Sequence, residues 1–188
     1  MSQAKVLTQN EIDQVLRYVS TTRYPKRNRL LVLTSFFSGM RVGEIASLKL
    51  NDVINEDHSI KNEIKLTAQQ TKGKHARIVF VNDKLRSELA SYIATIKVKD
   101  VQATLFNTEK GGGFTANTLA QWFFWMYRRA GVSGASSHSG RKTFLTSLAN
   151  KGISIHILAS LAGHRSIAVT NRYLIANDEM KRQAVELI

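Results

Sequence analysis

The side chains in this sequence whose types and spacing could do chemistry are basic and polar, and they sit where helical patterns begin or end. Gly39-Met40-Arg41-Val42-Gly43-Glu44 places an arginine and a glutamate three residues apart, which on a helix share a face. One reading is an exposed ion pair of little energetic weight. The other is a guanidinium aimed at a phosphate, with Glu44 beside it. Ser137-His138-Ser139-Gly140-Arg141 repeats the spacing with a histidine and an arginine at a helix start. Free backbone N–H groups attract anions there, although an H-x-x-R pattern also arises often by chance. Leu161-Ala162-Gly163-His164-Arg165-Ser166 sets a histidine directly after a helix-ending glycine, and nine residues beyond it stands Tyr173, preceded by Asn171 and Arg172. A tyrosine at helical spacing ordinarily belongs to a core. Here its neighbours are polar and no acid is near.

Other chemistries are excluded. The 188 residues include no cysteine, which removes disulfides, thiolate nucleophiles, cysteine-held zinc and iron–sulfur clusters. None of the five histidines pairs with a carboxylate or another histidine at ligand spacing, so no metal site is expected. There is no G-x-x-x-x-G-K-[ST], no G-x-G-x-x-G opening a helix and no H-E-x-x-H. Gly111-Gly112-Gly113 lacks the strand and helix that would make it a phosphate loop, and reads as a turn. No apolar run approaches the roughly eighteen residues of a membrane span, and no apolar stretch follows Met1-Ser2-Gln3-Ala4-Lys5 as in a signal peptide. The expectation is a cytoplasmic protein without a membrane partner.

Charge supplies the positive indication. Lys and Arg total 27 against 14 Asp and Glu, a net charge of +13, and an excess of this size in one domain points to a polyanion such as nucleic acid. The acids are unevenly spread. From Lys110 to Asn177 there is none, while Lys110, Arg128, Arg129, Arg141, Lys142, Lys151, Arg165 and Arg172 lie in that stretch. The same stretch carries apolar helical patterns, so it is a folded basic face and not a disordered tail.

The elements that must position these residues follow from periodicity. Thr8-x-x-Glu11 is a capping box, opening a helix with Ile12, Val15, Leu16 and Val19 on one stripe. Asn28 to Phe37 is apolar almost all round and predicts a central buried helix. Gly39 ends it, and a short helix starts over Arg41 to Leu48. Ile64, Leu66 and Ala68 alternate with polar residues, and Arg77-Ile78-Val79-Phe80-Val81 follows across Thr71-Lys72-Gly73-Lys74, a hairpin with a basic turn. A further short strand is expected near Asp52–Asn55. Helices resume at Asp83, after Thr115 or Asn117, and near 139–150, 154–162 and 166–175, with a last amphipathic one over Asn177 to Ile188. With no linker or repeat, the expectation is one domain over 1–188, mainly α with a small antiparallel β-sheet (α+β).

The order of the boxes is what identifies them. Arg41, a basic hairpin, His138-x-x-Arg141, Gly163-His164 and then Tyr173 follow one another in the segments SGMRVGEIASLKLNDV, TKGKHARIVFV and HSGRKTFLTSLANKGISIHILASLAGHRSIAVTNRYL. The sequence resembles the catalytic domain of tyrosine recombinases, the phage integrase family, from about Thr8 onward. That resemblance implies the tyrosine recombinase/integrase catalytic fold. It makes Arg41 and Arg141 the catalytic arginines, Glu44 the acidic residue beside the first, Lys72 the hairpin lysine, His138 and His164 the two histidines and Tyr173 the nucleophile. Lys142 departs from the family, where many members carry a histidine. Lys74, Lys142, Arg165 and Arg172 flank these positions and are the expected DNA contacts.

The resemblance further implies strand cleavage and rejoining through a 3′-phosphotyrosyl link, with neither cofactor nor metal. Double-stranded DNA is the partner, with a homo-tetramer on DNA and a monomer alone. A type IB topoisomerase uses nearly the same residues, and a non-catalytic DNA-binding relative would keep the fold without needing Tyr173. Recombinases of this kind usually carry a core-binding domain before the catalytic one. Its absence points to a short recombinase or an excised piece, and the helix over Asn177–Ile188 is expected to pack on its own domain or dock on a neighbouring subunit.

Overall fold

The computed structural model describes residues 4–98, 100–173, 182, 185 and 186. Helix α1 (Gln9–Ser20) begins as its capping box dictates: the Thr8 hydroxyl accepts from the Glu11 N–H at 3.3 Å, and the Glu11 carboxylate accepts from the Thr8 N–H at 3.0 Å. Its apolar stripe closes Val15 and Val19 fully away from solvent. Helix α2 (Pro25–Ser38) opens on a proline whose fixed φ suits a first helical turn. Leu30, Leu31, Val32, Leu33 and Phe36 are buried on all sides, because α2 packs against α1, the later helix α5 (Asp83–Ile93) and α7 (Ser139–Asn150).

Between α2 and α5 come α3 (Val42–Ala46), α4 (Leu50–Val53) and the hairpin of β1 (Glu63–Leu66) and β2 (Arg77–Phe80). The strands pair antiparallel with Ile64 opposite Val79 and Leu66 opposite Arg77. Ile64, Leu66 and Val79 turn inward, while Ile78 and Phe80 face solvent. Helix α6 (Ala116–Arg129) starts at Thr115, whose hydroxyl accepts from the Thr118 N–H at 3.1 Å. After α7 come α8 (Ile155–Ala162) and α9 (Ile167–Asn171). One apolar cluster surrounds α2. A second, of Leu145, Ala149, Leu158 and Ala162, lies beneath the helices that follow His138.

The mainly α architecture with one small antiparallel sheet is as expected. The strand expected near Asp52–Asn55 is instead α4. Asp52 accepts a hydrogen bond from the Lys49 backbone at 2.9 Å, and Leu50 and Val53, three residues apart, face the core together. Only Ile54 keeps a strand-like bridge, to Ile60. The first hairpin strand also stops short of Ala68. The Gln70 side chain accepts from the Thr67 N–H at 2.9 Å and folds Ala68–Gln70 into a 3₁₀ turn. The helix expected over Asn177–Ile188 lies outside the described residues, apart from Arg182, Val185 and Glu186. Among the described residues no helix is long and apolar enough to cross a membrane.

Two glycines set how closely the helices meet. Gly39 ends α2 at φ +60°, and a Cβ there would lie 2.5 Å from the Phe144 ring. Inside α7, a Cβ on Gly140 would lie 2.1 Å from the Ser35 hydroxyl and 3.0 Å from its backbone carbonyl carbon. The contact between α2 and α7 therefore admits no side chain at position 140. Gly140→Ala should lower the unfolding free energy in urea by about 1–3 kcal/mol; an unchanged midpoint would mean that this contact is looser than described.

Candidate active site

Arg141 lies in the first turn of α7 and is 4% exposed. Its Nη1 donates to the Gly39 carbonyl at 2.6 Å, and its Nη2 donates to the Ala162 carbonyl at 2.7 Å. These carbonyls stand at the C-terminal ends of α2 and α8, where unpaired acceptors and the helix dipole favour a cation. No carboxylate touches the guanidinium among the described residues, so its charge is seated but not neutralised by contact. Burial first, then the Arg41 and Arg77 charges, lower its pKa, with Glu44 opposing; a guanidinium nevertheless stays protonated near neutral pH.

Nη2 of Arg141 also lies 2.8 Å from Nε2 of His164. A guanidinium only donates, so Nε2 accepts, and the neutral ring carries its proton on Nδ1, 2.9 Å from the Thr170 hydroxyl. Burial, then the charges of Arg141, Arg41 and Arg77, push the His164 pKa down to about 4. Loss of solvation, then Arg141, Arg41 and Lys72, also lower that of His138, which caps the N-terminus of α7.

Arg41 precedes α3 and donates to the Glu44 carboxylate at 3.1 Å, while its own backbone N–H is held by Glu44 at 2.8 Å. Glu44 is not the exposed partner of a surface ion pair, since its side chain is 1% exposed. It is shared with Arg77 on β2, which donates to it through Nη2 at 2.7 Å and to the Leu161 carbonyl through Nη1 at 2.9 Å. Burial drives the Glu44 carboxyl upward, but hydrogen bonds and charge from Arg77 and Arg41 outweigh it and leave the pKa below its ordinary value.

Arg77 belongs to this constellation and did not stand out among the sequence motifs. Its signal was the phase of the strand: positions 77, 79 and 81 alternate on one side, and Val79 and Val81 are buried. A charged residue in that inward phase needs a buried partner. Gly163, at φ +61°, leaves room for it, because a Cβ there would lie 2.6 Å from the Arg77 chain.

Tyr173 lies two residues past the end of α9. Its N–H donates to the Thr170 carbonyl at 2.9 Å, and its half-buried ring stacks on His164 with centroids 6.0 Å apart and planes 18° apart. A cavity of about 370 Å³ is lined by Arg41, His138, Arg141, Lys142, His164, Arg172 and Tyr173. A second, of about 580 Å³, shares Arg41 and His164 and adds Lys72, Arg77 and Arg165. All six residues named as catalytic from the sequence therefore meet around two adjoining cavities. Lys74 does not line either one; it sits in the hairpin turn at φ 52°. Among the described residues no group of three or more His, Asp or Glu side chains gathers to hold a metal ion.

The phage integrase family matches residues 5–180. The tyrosine recombinase XerA of Thermococcus kodakarensis is 28% identical over 184 residues, covering 97% of this chain and 62% of that protein. The crystal structure of XerA recombinase is similar with a TM-score of 0.75 at 23% identity, covering 100% of this chain and 64% of that one. The Tn1549 transposon integrase in complex with transposon right end DNA gives a TM-score of 0.76 at 19% identity, covering 99% of this chain and 66% of that one. These structural likenesses carry the fold. The chain spans about three fifths of the length of the curated relatives it matches.

Two outcomes follow from the site's electrostatics. The folded protein resists protonating His164 until about pH 4, whereas an unfolded histidine takes up its proton near 6.5. Stability should thus be full above that upper value and decline as pH falls toward the lower one, with Glu44 adding a further loss in acid. Urea unfolding at stepped pH should show a shallower decline in His164→Asn. Arg77→Met removes the closer partner of a buried carboxylate and should cost about 3 kcal/mol in the same assay.

Proposed function

This chain belongs to the phage integrase family, and on that premise we propose that it is the catalytic part of a site-specific DNA recombinase that cuts and rejoins strands through a tyrosine. The observation that carries this reading is the shared pocket of Arg41, Arg141 and the Tyr173 ring. Breaking a phosphodiester requires stabilising a crowded phosphorus that gains negative charge. Two guanidinium forks do this with charge-assisted hydrogen bonds and no protonation change of their own.

Arg41 and Arg141 hold the non-bridging oxygens of the scissile phosphate, and His164 adds a donor. The Tyr173 oxygen attacks phosphorus, forming the P–O bond to the phenol as the P–O5′ bond breaks. A phenol loses its proton only near pH ~10 in water, so His138, whose lowered pKa keeps it neutral at working pH, accepts that proton. The Lys72 ammonium gives one to the departing 5′ oxygen. The products are a 3′-phosphotyrosyl link and a free 5′-hydroxyl. A 5′-hydroxyl from a second strand reverses the step, and the retained phosphoester energy makes a nucleotide cofactor unnecessary.

The DNA in the Tn1549 integrase complex supports double-stranded DNA as the partner, as does the net charge of +13. Arg165, Arg172 and Lys142 at the cavity rims, and Lys74 in the hairpin turn, contact phosphates. Assembly is a homo-tetramer on DNA and a monomer without it, with the segment over Asn177–Ile188 docking between subunits.

A nicked duplex that loses its 5′ product on cleavage should trap a covalent adduct, visible on a denaturing gel. Tyr173→Phe should give no adduct while still retarding the duplex in a native gel; an adduct from that variant would displace Tyr173 as nucleophile. Arg141→Lys should slow adduct formation by at least about 100-fold, since one preorganised donor is worth roughly that much, at an unfolding midpoint measured alongside.

A further inference from the structure

His164 faces two demands that conflict. The proposed chemistry asks its Nε2 to give a hydrogen to a phosphate oxygen. In the DNA-free pocket that same atom receives one from Arg141 at 2.8 Å, and the ring proton is on Nδ1, 2.9 Å from Thr170 Oγ1. We propose that Thr170 is a positioning residue for His164, whose hydroxyl supports the Nδ1–H ring without DNA and, by turning its own hydrogen, supports the Nε2–H ring when a phosphate fills the pocket. This rests on reading the pocket as a phosphodiester site.

The residue type suits the task. A hydroxyl both donates and accepts, whereas a carboxylate accepts only and would lock the proton on Nδ1. Thr170 is completely buried, so its hydroxyl has no bulk water to turn to and is held against the ring nitrogen. Its placement joins the two reacting groups. Through its side chain Thr170 holds the imidazole, and through its carbonyl it holds the backbone N–H of Tyr173 at 2.9 Å. The stacking of Tyr173 on His164 completes the triangle.

The change balances. One proton leaves Nδ1 to solvent in the open pocket and one arrives on Nε2, so the ring stays neutral. The Thr170 hydroxyl ends with the same proton, rotated toward Nδ1. Arg141 keeps its bonds to the Gly39 and Ala162 carbonyls throughout, and its N–H released by His164, fixed in direction by the planar fork, is met by the phosphate oxygen that also accepts the new Nε2–H. The DNA-free site thus stores its donor pointing inward, and the anion itself brings it out.

Two measurements test this. In ¹⁵N-labelled protein, long-range proton–nitrogen spectra should show His164 protonated on Nδ1 without DNA. In the Tyr173→Phe background with an uncut duplex they should show it protonated on Nε2. An Nε2–H ring in the free protein, or an unchanged ring on DNA, overturns the proposal. In the adduct assay, Thr170→Ser should stay within about threefold of the unaltered chain, while Thr170→Val, equal in shape, should slow at least about tenfold for one lost hydrogen bond. Equal rates for the two variants overturn the proposal, as does a valine loss matched by lost DNA affinity or a lower unfolding midpoint than serine. Should the unaltered chain form no adduct with any duplex, the reading of the pocket fails, and the DNA-free spectrum still decides the direction of the hydrogen bond.

Discussion

A guanidinium seated on backbone carbonyls is the constraint around which this molecule is arranged. Arg141 is nearly closed from solvent, and what closes it is the end of α2 on one side and the end of α8 on the other. A carboxylate in either place would have cancelled the charge. Carbonyl oxygens offer a partial charge that holds the fork in plane and leaves most of its field for an anion. Burial of an unneutralised cation is unfavourable taken alone, and on the proposed reading a phosphate in the pocket offsets that cost.

That seat dictates the backbone around it. Gly39 must turn into the left-handed region to direct its carbonyl at Arg141, and the Phe144 ring occupies the space a side chain would need. Gly163 also turns left-handed at the end of α8, one residue past the Ala162 carbonyl that holds Arg141, with Arg77 filling the space a side chain would need. The closeness of α2 to α7 at Gly140 keeps Arg141 within reach of the Gly39 carbonyl. Glu44 manages the remaining charge. It binds Arg41 and Arg77 together, tying the α3 start to the hairpin, so that two arginines approach one another without mutual repulsion dominating. Neutral imidazoles fit this environment: with three guanidinium groups nearby, a charged His164 is strongly disfavoured.

Much of the fold was legible along the chain, because its signals are local. The capping box at Thr8 and Glu11, the all-round apolar run of α2 and the alternation at Ile64 and Leu66 each state their element within a few residues. The strand misread near Asp52 and the overextended one at Ala68 failed for one reason. Asp52 and Gln70 side chains bond backbone N–H groups three residues earlier and make turns where apolar alternation alone suggests extended chain.

Residue types and their order, through the resemblance they carry, nominated the candidate set of two arginines, two histidines, a lysine and a tyrosine, which is readable because chemistry depends on side-chain identity. Tertiary structure alone decided how they are held. The choice between a surface ion pair and a buried anchor at Glu44 depended on Arg77, thirty-three residues away on another element. The hydrogen-bond direction at His164 depended on Arg141 and Thr170, brought together by the crossing of α7 with the chain ends of α8 and α9. Burial and hydrogen-bond partnership are properties of which elements meet, and a sequence states such meetings only through packing at long range.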